Sequence, residues 1–186
     1  MGSPKQTLRI AGESMLDRVV DTFLESSVSE VVVVVRPALG WKRTGPRLRV
    51  VINQHPDRGL SESVRVGVGA LDPQTEAVVI GLGDKPLLRP ASIDSLVSRY
   101  LSTKAKVVVP TCGGERGNPV LFDRSLFKEM GRLTGDSGAK ELIRRHPSLV
   151  LDVAVEDRGV LLDVNTPFDA KKVEEILGSD AKSGHR

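Results

Sequence analysis

The chain has 186 residues, of which 27 are Lys or Arg and 24 are Asp or Glu, and the opposite charges are interleaved rather than collected into a basic stripe. This distribution argues against a nucleic-acid partner, although a small anionic substrate would suit the formal charge of +3. A single cysteine excludes an internal disulfide framework, and no apolar run approaches the roughly 20 residues of a membrane span, so we expect a cytoplasmic protein with no membrane partner.

Apolar periodicity predicts alternating helices and strands over the first 110 residues. A helix over 14–24 has Ser14 as its N-cap, and the valine run 31–35 has the composition of a strand buried on both faces. The further predicted elements of this half are a strand over 48–52, a helix over 61–71 capped by Ser61, a strand over 77–82, a helix over 90–101 and a strand over 106–110. Their order is typical of a parallel sheet covered by helices.

The second half of the chain is less regular. Thr166, Pro167 and Asp169 form an N-cap, a first-turn proline and a capping-box acid at the start of the last helix. The predicted elements are a strand over 120–122, helices over 125–130 and 137–145, strands over 150–155 and 160–164, and a helix over 166–177. We expect one domain over 1–177 and a disordered, small and polar tail over 178–186.

Four polar segments follow predicted strands or precede predicted helices. They are 1–5, 53–63, 83–86 and 163–166. Because open α/β sheets bind ligands at the carboxyl ends of their strands, these segments are expected to share one crevice. Asp84 is the sharpest candidate, since a carboxylate after a buried strand can hold a divalent cation against phosphate oxygens. An aspartate that only caps a helix or a turn is the alternative.

Six short motifs along the chain together resemble one family. They are MGSPK at 1–5, Asn53 with Gly59 and Ser63, GLGDKPLL at 81–88, GNPVLF at 117–122, GDSGA at 135–139, and DVNTPFD at 163–169. In this order they resemble the MobA-like nucleotidyltransferases of the molybdenum-cofactor cytidylyltransferase type. Each motif is weak alone, and their joint order carries the resemblance.

The resemblance implies a three-layer, Rossmann-like α/β nucleotidyltransferase fold, with a mostly parallel twisted sheet and helices on both faces. The family's opening strand and most of its glycine-rich phosphate loop have no counterpart before Met1, so we expect the first strand to be missing. Three explanations are open: a start codon placed too late in the gene, a shortened protein, or a degenerate family member.

The resemblance also implies a role for each motif residue. Lys5 would neutralise the triphosphate and, with Asp84, form the catalytic pair. The nucleotide-binding residues would be Lys5, Asn53, Gly59, Ser63, Gly83 and Asp84. The cofactor-side pocket would be lined by Arg116, Gly117, Asn118, Asp136 and Gly138. Mg²⁺ would be held by Asp84, Asp163 and Asn165.

The implied reaction is transfer of CMP from CTP to a molybdopterin-type cofactor with release of pyrophosphate, and a molybdoenzyme would receive the product. GTP in place of CTP, and a sugar phosphate in place of the cofactor, stay open because closely similar folds use them. A non-catalytic cofactor-binding or chaperone module is the alternative from another class. Three departures from the family pattern bear on the site: Lys85 replaces an apolar residue, Asn118 a histidine and Asn165 an aspartate.

The remaining reactive side chains have ordinary interpretations. His55, His146 and His185 have no metal-ligand spacing, so surface roles are expected. Cys112 has no histidine near it in sequence, which argues against a catalytic thiol.

Overall fold

The computed structural model describes residues 8–183. The helices are α1 (Met15–Glu25), α2 (Leu60–Gly69), α3 (Pro90–Thr103), α4 (Phe127–Met130), α5 (Lys140–Arg145) and α6 (Pro167–Ser183). The strands are β1 (Arg9–Ile10), β2 (Glu13–Ser14), β3 (Val31–Val35), β4 (Leu48–Ile52), β5 (Ala77–Ile80), β6 (Val107–Cys112), β7 (Glu115–Arg116), β8 (Val120–Asp123) and β9 (Val150–Ala154). None of the helices within 8–183 is long and apolar enough to cross a membrane.

Two separate sheets form the middle layer. β3 and β4 pair in parallel, and a second sheet contains β5, β8, β6 and β7 in that order, with β9 parallel to β6. β8 is antiparallel to both β5 and β6. The sheet that contains β5 to β9 is therefore mixed, with parallel and antiparallel neighbours, whereas the sequence predicted a mostly parallel sheet. A glycine turn at 113–114 and β7 connect β6 to β8, and a connection this short returns the chain antiparallel.

Helices cover both faces of the strands, which confirms the three-layer α/β fold. On one face α1 and α3 pack on the strands, and the buried cluster there includes Val20, Phe23, Val33 and Ile93. On the other face α2, α4 and α5 surround a cluster that includes Phe122. The two faces are possible because side chains of successive strand residues point in opposite directions.

A short hairpin, β1–β2, precedes α1 and is absent from the sequence prediction. Its turn contains Ala11 and Gly12 with φ of 51° and 86°, the positive values that two-residue hairpin turns require. Ile10 and Met15 are fully buried against α6. Ser14 caps α1 as predicted, and its Oγ accepts from the Asp17 N–H at 3.1 Å.

The predicted strand over 160–164 is wrong. A 3-10 helix over Arg158–Val160 and an irregular segment occupy this stretch. Val160 is fully buried, yet its carbonyl accepts from the backbone of Asn118 rather than from a strand ladder. Gly159 lies so close to the Leu87 carbonyl that a Cβ would be 2.2 Å from it. An apolar run buried by such packing has the same composition as a strand.

Two helix boundaries also differ from the prediction. α6 continues to Ser183, so residues 178–183 are helical rather than a disordered tail, because each added residue in a formed helix gains a backbone hydrogen bond. α2 begins at Leu60 with Gly59 as N-cap, and Ser61 is inside the helix instead of capping it. The capping box of α6 is confirmed, since Asp169 accepts from the Thr166 N–H at 2.9 Å and its own N–H bonds to Thr166 Oγ1 at 3.2 Å.

Candidate functional site

A crevice brings together residues from four of the sequence motifs. It belongs to a cavity of about 1380 Å³ that also extends between β3 and β5. The motif residues that line the crevice are Ser63, Gly83, Asp84, Arg116, Gly117, Asn118 and Ser137. Positions separated by more than 70 residues in sequence thus face one volume, as expected where a sheet ends.

Asp84 and Asp163 lie on adjoining loops beside the crevice. The Asp84 carbonyl accepts from the Val164 N–H at 2.8 Å, which holds the loop after β5 against the segment before α6. The ammonium of Lys85 is 2.7 Å from Asp163 Oδ1. The Lys85 side chain is only 5% exposed whereas that of Asp163 is 44% exposed, so the pair is buried on one side only.

The donor set at these loops fits a magnesium ion. Mg²⁺ keeps several waters and takes one or two protein carboxylates, which Asp84 and Asp163 can supply, while the exposed Asn165 lies two residues further along. Among residues 8–183 there is no cluster of three or more His, Cys, Asp or Glu side chains that could hold a metal. Lys85 would compete with a bound ion for Asp163.

Asn53 is buried next to the crevice and holds one of the residues that line it. It is 1% exposed, and its Nδ2 donates to Ser63 Oγ at 3.1 Å while its Oδ1 accepts from the His55 N–H at 2.8 Å. Its backbone N–H also bonds to the Val35 carbonyl. Asn53 thus fixes the loop after β4 and orients Ser63, which itself lines the crevice.

The loop before α2 packs directly on the loop before α5. A Cβ on Gly59 would be 2.4 Å from Asp136 Oδ1, and a Cβ on Gly138 would be 2.8 Å from Leu60. Ser61 N–H donates to the Gly135 carbonyl at 3.0 Å, which completes this contact. The resemblance assigns the first loop to the nucleotide and the second to the acceptor, and the two loops lie against each other.

The segment 116–119 forms one wall of the crevice. A Cβ on Gly117 would be 2.6 Å from the Val160 carbonyl, so glycine is required for the backbones to approach. Asn118 donates from Nδ2 to the Ile80 carbonyl at 3.3 Å, and its buried Oδ1 has no hydrogen-bond partner within residues 8–183. That oxygen is an unsatisfied buried acceptor in the crevice wall.

Arg116 is already engaged at the rim of the crevice. Its Nε and one terminal nitrogen donate to the two carboxylate oxygens of Asp152 on β9 at 2.7 and 2.9 Å. The hydrogen bonds that the Arg116 guanidinium donates to Asp152 raise its pKa above the ordinary value. Both side chains are nearly half exposed, so an anionic ligand could still approach the charge.

The predicted site residues are distributed unevenly around the cavity. Lys5 lies outside the described residues. Asn53, Gly59, Asp136, Gly138, Asp163 and Asn165 do not line the cavity themselves. Sequence reasoning missed Ser137 and Lys140, which do line it, and only their adjacency to the GDSGA motif could have indicated them. It also missed the Lys85–Asp163 pair, because contacts between distant loops leave no local signal.

The fold and the crevice together define a nucleotidyltransferase-class α/β protein. Residues 1–150 match the family model of the MobA-like NTP transferase domain, and the chain belongs to that family. Among solved structures it is similar to Rv0371c from Mycobacterium tuberculosis H37Rv, with a TM-score of 0.77 and 27% identity over 94% of this chain and 91% of that one.

Two further relatives show how far the similarity extends along the sequence. Purine catabolism protein PucB from Bacillus subtilis is 28% identical over 95% of this chain and 91% of its own length. The bifunctional protein GlmU from Sorangium cellulosum is 30% identical over 84% of this chain. The chain spans 32% of the length of that GlmU.

Proposed function

We propose that the chain transfers CMP from CTP to the terminal phosphate of a molybdopterin-type cofactor and releases pyrophosphate. The observation that carries the proposal is that Ser63, Asp84 and the Gly117–Asn118 wall face one crevice. The resemblance assigns Ser63 and Asp84 to the nucleotide and the 116–118 segment to the acceptor, and all of these residues line the same cavity. The family match supports the nucleotidyl-transfer class, and the choice of CTP and of the acceptor rests on the sequence motifs.

The reaction requires mainly that the protein position the two substrates. An oxygen of the acceptor phosphate forms a bond to the α-phosphorus of the nucleotide while the bond to the β-phosphate oxygen breaks, and pyrophosphate carries the electron pair away. The attacking oxygen is already anionic, so no strong general base is required. A bound Mg²⁺ would supply charge neutralisation to the triphosphate. Asp84 would hold that ion, and Asn118 and Gly117 would orient the acceptor.

Pyrophosphate release tests this function. The protein is incubated with Mg²⁺, a molybdopterin-type cofactor and either CTP or GTP. The rate of pyrophosphate release is measured and compared with that of an Asp84→Asn variant. We expect release with CTP and a loss of at least about 100-fold in the variant, because a charge-stabilising group at the transferred phosphate is removed. Glu175→Gln, at an exposed position on α6 outside the cavity lining, serves as a control with unchanged rate.

Other outcomes would choose among the alternatives. Release with GTP, or only with a sugar phosphate as acceptor, would keep the reaction class and replace the substrates. Binding of the cofactor with no release under any condition would favour a non-catalytic cofactor-binding module. The substrates of the proposed reaction are small molecules handled in the cytosol, and a molybdoenzyme is the proposed recipient of the product.

A further inference from the structure

A buried carboxylate joins the start of α3 to the turn over 157–160. Asp157 is 7% exposed, and its Oδ2 accepts from the Arg89 N–H at 2.9 Å and from Ser92 Oγ at 2.7 Å. Its Oδ1 accepts from the Gly159 N–H at 2.8 Å. Hydrogen bonds to a charged acceptor are stronger than those between neutral groups. Asp157 therefore fixes the 157–160 turn to the start of a long helix.

The 157–160 turn packs against the loop after β5, which carries Asp84. A Cβ on Gly159 would be 2.2 Å from the Leu87 carbonyl oxygen and 2.7 Å from the Leu88 nitrogen, so the two backbones are in direct contact. Gly159 is inside a 3-10 helix, whose backbone conformation other residues also adopt. The contact with the loop after β5 is therefore what excludes a side chain at this position.

The same turn also contacts the crevice wall formed by 116–119. The Val160 carbonyl accepts from the Asn118 N–H at 2.9 Å, and a Cβ on Gly117 would be 2.6 Å from the same carbonyl oxygen. Gly159 and Val160 are consecutive residues. The contact with the loop after β5 and the contact with this wall are therefore made by neighbouring residues of one turn.

The chain that leaves the turn stays attached to the loop after β5. The Val164 N–H donates to the Asp84 carbonyl at 2.8 Å, and Asp163 Oδ1 is 2.7 Å from the Lys85 ammonium. The segment 157–164 is thus held at its first residue by the start of α3 and at its last by the loop of the proposed metal site.

We propose that Asp157 is a positioning residue that sets the spacing between the bound nucleotide and the bound acceptor. The inference rests on the proposed nucleotidyl transfer, in which Asp84 serves the nucleotide and the 116–119 wall serves the acceptor. In-line attack needs the acceptor oxygen close to the α-phosphorus and aligned with the bond that breaks, and a displacement of about 1 Å can lower the rate roughly 100-fold. The 157–160 turn contacts both sides, and Asp157 holds that turn in place.

An Asp157→Asn substitution keeps the size of the side chain and removes one of its two acceptor oxygens. The asparagine tip has one oxygen that accepts and one nitrogen that donates. The Arg89 and Gly159 N–H groups bond to different carboxylate oxygens, so the single amide oxygen cannot replace both contacts. One N–H group then loses its acceptor, which weakens the attachment of the turn to α3.

Kinetics and binding measured on the Asp157→Asn variant separate positioning from binding. With CTP and a molybdopterin-type cofactor both saturating, we expect kcat to fall at least about tenfold. The Kd of each substrate titrated alone, CTP with Mg²⁺, should change by less than about twofold, because each substrate lies on one side of the turn. An unchanged kcat, or a fall explained by weaker binding of one substrate, would overturn the proposal.

Asp123→Asn is the matched control for lost stability. Asp123 is also a buried carboxylate that accepts from three side chains, those of Tyr100, Lys106 and Ser125. It lies at the end of β8 that is remote from Asn118. The control should therefore unfold more easily and keep its kcat. An equal fall of kcat in both variants would show a general effect of destabilisation and would overturn the proposal.

A second variant changes the spacing directly and serves if Asp157→Asn fails to fold. In Gly159→Ala the added methyl group meets the Leu87 carbonyl, so the turn and the loop after β5 must move apart. We expect the same loss of kcat, at least about tenfold, with unchanged Kd for either substrate. Gly178→Ala, where a Cβ meets open space, should keep the rate of the unaltered protein. An unchanged kcat in Gly159→Ala would contradict the proposed spacing.

Amide hydrogen exchange decides the case in which no nucleotide and acceptor react, which would refute the proposed function alone. The Asn118 and Val164 amides donate to the Val160 and Asp84 carbonyls and report on the two sides of the turn. We expect both to exchange at least about tenfold faster in Asp157→Asn than in Asp123→Asn. Equal exchange in the two variants would show that Asp157 does not set the spacing.

Discussion

At the scale of single residues, the buried ammonium of Lys85 is the departure from the family pattern that bears most directly on the proposed metal site. It lies 2.7 Å from Asp163, and the resemblance to the family had indicated an apolar side chain at this position. The sequence therefore identified the unusual residue, but not its partner. For Asn53 the sequence identified the motif position but not its contacts. Its side-chain Nδ2 and Oδ1 both form hydrogen bonds within the chain, to Ser63 and His55.

Replacing Lys85 should tighten metal binding. In Lys85→Met, Asp163 loses its ammonium partner, so a divalent ion no longer competes with a fixed positive charge. We expect the dissociation constant for Mg²⁺ to fall roughly tenfold, as measured by titration calorimetry. The variant should still fold, because the Asp163 carboxylate is 44% exposed and stays solvated without the ammonium, while methionine fills the space of the lysine stem.

One result for Lys85→Met would contradict the expected gain in Mg²⁺ affinity. Unchanged or weaker Mg²⁺ binding in Lys85→Met, with the fold intact by circular dichroism, would show that Asp163 is not a metal ligand. An Arg145→Met variant serves as control, because it removes a cation that pairs with Glu141 and Glu129, away from the cavity lining.

At the scale of secondary-structure elements, local patterns succeeded where the signal is local. Caps and periodicity located α1, α3 and the start of α6, and the valine run located β3. Pairing was predicted less well, because a strand's composition does not record which neighbour it has or in which direction that neighbour runs. The antiparallel β8 and the irregular 160–164 segment both follow from tertiary packing of apolar residues.

The end of β8 carries a buried carboxylate that makes stability depend on pH. Burial alone would raise the pKa of Asp123, but hydrogen bonds from Lys106, Ser125 and Tyr100 outweigh it and lower this pKa well below its ordinary value of 3.8. Burial and the hydrogen bond to Asp123 also raise the pKa of Tyr100 to about 12. Below pH 4 or so the unfolded state binds more protons than the folded state. The stabilisation by Asp123 is therefore present above the unfolded pKa and is lost as the pH falls through the folded one.

Removing this charge should flatten the acid side of the stability profile. Asp123→Asn is expected to lower the free energy of unfolding by about 2 kcal/mol at neutral pH, since hydrogen bonds to a charged group are lost. The difference from the unaltered protein should shrink toward about pH 2. Urea unfolding at both pH values measures it, with Asp57→Asn as control. An equal difference at both pH values would mean that the ionised form is not what the neighbouring donors stabilise.

At the scale of the whole molecule, the fold class was predictable and the division of the sheet was not. The order of motifs indicated a three-layer nucleotidyltransferase, which the family match and the structure confirm. The sequence indicated a single sheet, but the structure shows β3–β4 and the sheet that contains β5, β8, β6 and β9 as two sheets side by side. Such a juxtaposition arises from packing α1 and α2 on opposite faces, which no single segment encodes.

The central claim is that this crevice binds a nucleoside triphosphate through a metal at Asp84. Isothermal titration with CTP and then GTP, each with and without Mg²⁺, tests it directly on the protein and on its Asp84→Asn variant. The account predicts saturable CTP binding that requires Mg²⁺, is weaker for GTP and is lost in the variant. Failure to bind either nucleotide, or CTP binding that the variant retains in full, would contradict it.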